Sequence, residues 1–468
     1  MPKRDLVIIG AGPAGMAAAA QAADMGLSVT LLDEQPRAGG QIYRDVDRVS
    51  PLRGDILGAD YTAGTRLTSG LDHDRVDHVT GAVVWAIEEG FCVSYTRDGR
   101  GAQINADRIL LATGALERPM PMPGWTLPGV MTAGAGQILL KQSGMLAKDA
   151  VLVGSGPLLY LIAAQMVRAG TPPKAMVETQ TRGDMIRAAR HMGGALRGWL
   201  YMVKGLKMLA EIKRARVPRF TGATRIAIEG NTMPKAVTFA HKGRSQRIAC
   251  QTVLLHHGVV PNTQAARSLD VPHIWSEPQA CFVPILDAWG QSKKPGVFIA
   301  GDSAGIAGAK AAEQTARLAV LQIAQETGQI AVADRDALAQ PLRATLRTEL
   351  AARPFLDVAY PPYDAAVHPA DTTVICRCEE VTAGDIRNSA TLGCIGPNQA
   401  KSFGRAGMGP CQGRYCGLTV TALLADANGH SPDTTGYYRI RPPLKPVTLG
   451  ELATMDSAGQ DTDEQQAL

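Results

Sequence analysis

DLVIIGAGPAGMAAAAQAADMGLSVTLLD, residues 5–33, reads as strand, tight turn, helix and strand in one short span. Asp5 to Ile9 is an apolar run of strand length, and an alanine-rich stretch reaching about Met25 follows as a helix before a second strand over Ser28 to Leu32. Between them lies the turn Gly10-Ala-Gly12-Pro13-Ala14-Gly15. The first glycine permits the turn, the second lets backbone approach a pyrophosphate, and the third lets helix pack on strand. A helix N-terminus contributes only about 0.3–1 kcal/mol toward holding an anion, so this turn needs further contacts to secure a dinucleotide. Asp33 lies 18 residues beyond Gly15, at the end of the second strand. An ionised carboxylate there accepts from ribose hydroxyls at roughly 1.5–3 kcal/mol per bond, which favours an adenosine ribose without a 2'-phosphate.

Three further segments belong to the same pattern. Glu34, Arg37 and Gly39-Gly40-Gln41 follow the second strand, LLATGALERP at 110–119 supplies Thr113 and Gly114, and FIAGD at 298–302 supplies Gly301 and Asp302. A second strand-turn-helix-strand unit starts at Ala150 with Gly154-Ser-Gly156, runs through a helix from Pro157 to Ala169, and ends at Glu178. Its third glycine position is Leu159, which obstructs close approach of a pyrophosphate. Glu178 could still hold a ribose, leaving a site for a bound adenine nucleotide without hydride transfer. The fold class is therefore α/β, with two Rossmann-like dinucleotide-binding domains and a small C-terminal cysteine domain. The expected boundaries are 1–120 with 250–335 for the first domain and 121–249 for the second. A Pro-rich linker over 336–370, a cysteine domain over 371–430, and an extension with an acidic, Gln-rich tail over 431–468 complete the chain.

At 468 residues the chain has room for about three domains with cores of their own. A net charge of +5 with 5% aromatic residues and no basic patch interleaved with aromatics argues against a nucleic-acid partner. The apolar N-terminal run carries its glycines where a phosphate turn needs them, which speaks against a signal peptide. Beyond it no apolar run of membrane-spanning length exists, so no transmembrane segment is expected.

Cys376, Cys378, Cys411 and Cys416 follow the pattern C-x-C, 32 residues, C-x4-C, inside TVICRCEEVT and GMGPCQGRYCG. Four thiolates in two short pairs are the ligand set of one [2Fe-2S] cluster. A structural zinc site is the alternative, which the C-x-C spacing disfavours. Cys92, Cys250, Cys281 and Cys394 are scattered singly, unlike a disulfide framework, and a reducing cytoplasm is expected.

Over roughly residues 1–330 the glycine turn, Thr113-Gly114 and Asp302 resemble the glutathione and thioredoxin reductase superfamily of two-domain flavoproteins. That resemblance implies FAD, with Asp302 at the ribityl chain and Thr113 and Gly114 beside the flavin. No cysteine pair precedes residue 376, which sets disulfide reduction aside. The cysteine region resembles the BFD-like [2Fe-2S] domain, though its second pair is C-x4-C rather than C-x-x-C. With the following YYRIRPPLKPVTLGELA, nearly the whole chain is similar to the larger FAD/[2Fe-2S] subunit of heteromeric amino-acid dehydrogenases. That family includes opine oxidases, hydrogen cyanide synthase, and proline and D-hydroxyproline dehydrogenases, and the sarcosine oxidase alpha subunit carries a related segment. It implies a D-amino-acid-oxidase-like FAD partner that oxidises a C–N bond, in some members an FMN between subunits, and in some a small ferredoxin-like third subunit. The respiratory chain is the acceptor it suggests, reached from the cytoplasm or the inner face of the membrane. The two competing functions are a self-contained NAD(P)H-dependent reductase and a non-catalytic scaffold subunit. No catalytic constellation is legible, and no catalytic residue is assigned.

Two lesser features complete the reading. Residues 182–219 hold ten Lys or Arg against Asp184 and Glu211, with Leu196, Leu200, Val203 and Leu206 at helical spacing beside Trp199 and Tyr201. A helix packing its apolar side inward is the expectation, and docking on a partner or an anionic membrane is the alternative. His256-His257 precedes a segment matching a turn near the flavin in the superfamily; core or surface histidines are the expectation there, and approach of one to the isoalloxazine is the alternative.

Overall fold

The computed structural model describes residues 3–455, so the acidic tail lies outside the described residues. The first sheet has Lys3–Ile9 at its centre, flanked in parallel by Val29–Asp33 and by Arg100–Leu111. Val76–Thr80 extends it beyond Val29–Asp33. Past Arg100–Leu111, antiparallel Cys92–Arg97 and Val83–Ile87 complete the order. Val297–Ile299 returns from far along the chain to pair in parallel with Ile109–Leu111. The helix Pro13–Asp24 is buried almost all round, with Ala17, Ala18, Ala19 and Ala22 wholly inaccessible. Its alanines let both the sheet and the helix Ala309–Glu326 approach closely.

The second sheet is parallel throughout, in the order Arg219–Thr221, Ala175–Glu178, Ala150–Gly154, Thr252–His256, Val130–Thr132. Thr252–His256 pairs with Ala150–Gly154, which corrects the boundary drawn at 249: the second domain runs on to His256. The error arose because an apolar strand of five residues carries no mark of which sheet it joins. A three-stranded antiparallel meander over 224–249 closes this domain.

The segment read as a Pro-rich linker is largely helical, with Val332–Leu350, Arg353–Ala359 and Asp364–Val367. Pro341 sits inside the first of these and Pro354 in the first turn of the second. The cysteine domain is built of Ala383–Thr391, Pro397–Gly404 and Gly417–Asn428 around a two-stranded hairpin. It does not stand apart: Ile375, Cys376, Ile386, Cys416, Val420, Leu423 and Tyr438 share one continuous core with Val7, Ile9, Leu111 and Ile299 of the first sheet.

Candidate functional site

The first glycine turn is shaped by contacts that no side chain could share. A Cβ on Gly10, at φ +105°, would meet the Ala112 carbonyl oxygen at 2.5 Å, and one on Gly15 would lie 1.8 Å from the Gly10 oxygen. Gly40, at φ +59°, presses on Gly12, whose Cα its Cβ would approach to 2.8 Å. Gly301 comes so near the helix start that a Cβ would lie 2.9 Å from that of Ala14. The segments containing Gly10–Gly15, Gly39–Gly40, Ala112–Gly114 and Gly301–Asp302 therefore converge. Thr113 Oγ1 donates to the Asn262 carbonyl at 2.9 Å, and one Asp302 oxygen accepts the amides of Ala307 and Gly308 at 2.9 and 3.0 Å.

Asp33 has work of its own. One oxygen accepts the Ala11 amide at 2.5 Å and the other the Gln35 amide at 2.7 Å, so the carboxylate clamps the turn. Burial pushes its carboxyl above the usual range, and those two amide bonds work against the shift. Glu34 pairs with Lys445 of the C-terminal extension, which outweighs burial and holds its carboxyl below the usual range. Arg37 reaches Asp45 at 3.2 Å, and the carbonyl of Gln41 accepts from Lys141.

Two buried cations at this edge escaped the sequence reading. Arg44 is 6% exposed, and its Nε and Nη1 have no hydrogen-bond partner among the described residues. Burial lowers its pKa, against the fields of Asp33, Glu34 and Asp45. An orphaned guanidinium beside a glycine turn is the donor a pyrophosphate takes up, so the residues present fit a dinucleotide. Lys141, from the second domain's helix Ala133–Ser143, donates to the carbonyls of Gln41 and Ile42 at 2.9 and 2.8 Å. Burial, and then Arg44, push its amine down to about 7. The signal available was GGQIYR itself, whose arginine has no pattern that announces burial.

The second glycine turn is built differently, and this corrects the expectation for Gly154, Gly156 and Glu178. Gly154, Ser155 and Gly156 are all buried, and Ser155 Oγ donates to the Pro361 carbonyl at 3.5 Å. Tyr360 packs edge-on against Tyr160 with ring centres 6.1 Å apart, and the Tyr363 amide donates to His257 Nδ1 at 3.1 Å. Residues 360–363 thus lie over the turn where a pyrophosphate would rest. Leu159 is wholly inaccessible, packed with Leu152, Ala163 and Met176. Glu178 is wholly buried, and Arg219 binds it through Nε at 2.7 Å and Nη2 at 2.9 Å while Gln180 donates at 2.6 Å. Its carboxylate is committed to the protein and is not free for a ribose.

Both histidines are buried core residues, as expected. His256 Nδ1 meets Glu117 at 2.6 Å, and His257 Nε2 donates to the Pro119 carbonyl at 2.7 Å. Among the described residues every cysteine is a free thiol, and burial holds Cys92, Cys250 and Cys281 above the usual thiol range.

The other four thiols gather as two pairs. The Cys416 thiol donates a hydrogen bond to Cys376, and this contact, against burial and with help from the amides of Gly407, Glu379 and Cys378, lowers Cys376 to about 6. Cys416 is raised in turn by the same contact and by burial. Cys378 faces Cys411, with burial the main cause of its raised thiol. Gly409 makes the approach possible, since a Cβ there would lie 2.2 Å from that of Cys378. Among the described residues no three His, Cys, Asp or Glu side chains converge on a single-ion site. Four thiols gathered in this way are a donor set that would fit a two-iron cluster. Cys378 is exposed and Cys411 half-buried, whereas Cys376 and Cys416 are buried.

Residues 4–328 match the family described as Pyridine nucleotide-disulphide oxidoreductase, and residues 371–456 match the Sarcosine oxidase A3 domain. An opine oxidase subunit of Rhizobium meliloti is 42% identical, covering 96% of this chain and 87% of its own. Hydrogen cyanide synthase subunit HcnB of Pseudomonas protegens is 32% identical, covering 96% of this chain and 97% of its own. Among solved structures, L-proline dehydrogenase from P. horikoshii superposes with a TM-score of 0.72 at 18% identity, over 96% of this chain and 79% of that one. Thioredoxin reductase from T. acidophilum gives 0.50 at 20% identity, over 70% of this chain and 99% of that one. These likenesses to solved structures concern the fold.

Proposed function

We propose that this chain, which belongs to the pyridine nucleotide-disulphide oxidoreductase family and is a flavin-dependent oxidoreductase, is the electron-relaying subunit of a heteromeric enzyme. The enzyme oxidises a C–N bond of an amino acid or opine. A partner subunit of the D-amino-acid-oxidase type binds that substrate and removes the hydride. FAD lies on Gly10, Gly12, Pro13, Ala14 and Gly15, with Arg44 on the pyrophosphate and Thr113, Gly114, Gly301 and Asp302 along the flavin end. Cys376, Cys378, Cys411 and Cys416 hold one [2Fe-2S] cluster. Such groups supply one- and two-electron transfer, and this chain's residues bind them and shut out water. An FMN between subunits and a small ferredoxin-like third subunit complete the assembly, which delivers electrons to a respiratory acceptor from the cytoplasm or the inner face of the membrane.

The observation that carries this reading is a contrast between two turns. The first carries an orphaned arginine, and the strand leading into it shares a core, through Val7 and Ile9, with Cys376 and Cys416, whereas the second is covered by residues 360–363. An electron source other than nicotinamide follows from that contrast, and the relatives whose names mark them as subunits of opine oxidase and hydrogen cyanide synthase point the same way. The test is anaerobic addition of NADH, then NADPH, to the purified chain while flavin and cluster absorbance are followed. No bleaching, with reduction appearing once the partner and an amine are supplied, is the expected result. Rapid bleaching by either nicotinamide would overturn the relay in favour of a self-contained reductase.

A further inference from the structure

The helices Met192–Arg197 and Trp199–Arg214, joined at Gly198, turn much of their apolar surface outward. Leu196, Trp199, Leu200 and Leu206 are 64%, 57%, 62% and 65% exposed, and Ile186 just before them is 74% exposed. Only Met208 and Ile212 of the longer helix are buried, packed with the second domain's helix Pro157–Arg168. The expectation of an inward-facing apolar side is therefore corrected: the helix is held by two residues and a few half-buried neighbours, and its most apolar turns face outward.

The exposed charges of residues 192–216 are of one sign, and Tyr201 at the edge bonds to Glu349 of a neighbouring helix. Arg197, Lys207, Lys213, Arg214 and Arg216 are all exposed. The two acidic residues of the region are withdrawn from it. Asp184 is buried, capping the helix at Thr181, and Glu211 is held by Arg168 through two bonds of 2.8 Å. Lys204 also turns away, to Asp60. Beside the helix lies an open trough of about 570 Å³, whose lining includes Leu206, Leu209, Ala210 and Val217 together with Lys213 and Arg216. The lining pairs apolar with cationic side chains.

We propose that this face docks on an anionic lipid bilayer, with Trp199, Leu200 and Leu206 entering the acyl boundary and Lys207, Lys213, Arg214 and Arg216 meeting lipid phosphates. Tryptophan and leucine flanked by lysine and arginine match the composition of helices lying in the membrane interface plane. The core of a protein-protein interface is depleted in lysine, and a protein partner would have to bring its own acidic residues to this unbroken run of cations. An anionic bilayer supplies phosphate at every point, and the trough accommodates an acyl chain. Among the described residues no helix is long and apolar enough to cross a membrane, so attachment by this face is peripheral.

Vesicle flotation of the full chain in its cofactor-loaded form tests the idea, with phosphatidylcholine alone and with phosphatidylcholine mixed with phosphatidylglycerol. The chain is expected to float with the mixed vesicles and to be released by salt. The double variant Trp199→Ser, Leu206→Ser should bind about tenfold or more weakly, and so should Lys207→Glu, Lys213→Glu. All four side chains are exposed, so flavin content and thermal midpoint should stay unchanged; if the first pair lost flavin, Leu200→Ser takes its place. Failure to float with mixed vesicles would overturn the proposal, and so would flotation that the variants leave intact. Sedimentation in the absence of lipid covers the rival occupant: a dimer that these variants dissolve, with no vesicle binding, makes the face a contact between protein chains.

Discussion

Arg44 is a guanidinium buried near three carboxylates with two donors unsatisfied, an arrangement that costs stability unless something takes them up. Charge-assisted bonds of this sort contribute about 1.5–3 kcal/mol each, so Arg44→Met should weaken flavin retention by roughly ten- to a hundredfold. Flavin released on dilution measures this; Arg44→Lys should restore part of it, and full retention by the methionine variant would show that the guanidinium serves only Asp33, Glu34 and Asp45. Lys141 makes a pH prediction. Its amine titrates near 7 when folded and at 10.5 when free, so between those values the unfolded chain binds the extra proton. Stability then rises as pH increases from about 7 toward 10.5, because the unfolded state holds more protons. Lys141→Met should flatten that rise, read as thermal midpoints of both proteins at neutral and alkaline pH; parallel curves would place the titration elsewhere. The glycines were legible because they recur at a fixed spacing between a strand and a helix, although Ala112, which crowds Gly10, and Ala14, which crowds Gly301, lie far off in sequence. Arg44 and Lys141 were not, since burial of a cation depends on residues far away in sequence, and Lys141 reaches the loop at Gln41 from another domain.

At the scale of elements, the second sheet is stitched by an ion pair that replaces a ligand contact. Arg219 begins the strand neighbouring the one that Glu178 ends, and the pair sits where Glu178 is wholly inaccessible. Removing the arginine leaves a buried carboxylate uncompensated, so Arg219→Met should destabilise the chain by about 3 kcal/mol. Adding Glu178→Gln should recover much of the loss, since the charge left stranded is then gone. Denaturant unfolding of the single and double variants checks this, and equal losses would mean that packing against Tyr160 sets the cost. The strand ending in glutamate was readable from sequence, but its occupation by Arg219 was not. The cover at Pro361 was equally hidden, because it lies 206 residues from Ser155 and nothing in a proline-rich stretch names its docking site. The outward apolar stripe shows the same limit in another form. Periodicity reported two faces at helical spacing, and which one meets the sheet was decided by Met208 and Ile212.

Across the whole molecule, the cysteine region read as a separate domain behaves as a third layer on the first sheet. Cys376 and Cys416, each nearly inaccessible, lie in the same core as Val7, Ile9 and Ile299. The C-terminal extension ties the layers further, through Lys445 to Glu34, the Leu444 amide to the Trp85 carbonyl at 2.6 Å, and the Gly101 amide to Thr454 Oγ1 at 2.8 Å. A shared core transmits loss of packing from one layer to the next, since close-packed interiors relax only partly around a defect. Flavin release and bleaching of the cluster should therefore fall on one thermal transition. Cys416→Ser, which removes a ligand from the proposed cluster and places a hydroxyl in that core, should lower the temperature of flavin release as well as abolish the cluster's absorbance. Flavin fluorescence and visible absorbance recorded during the same melt decide the matter. Two separated transitions, or a Cys416→Ser protein that keeps its flavin to the wild-type temperature, would mean that the thiol layer rests on the flavin frame without stabilising it.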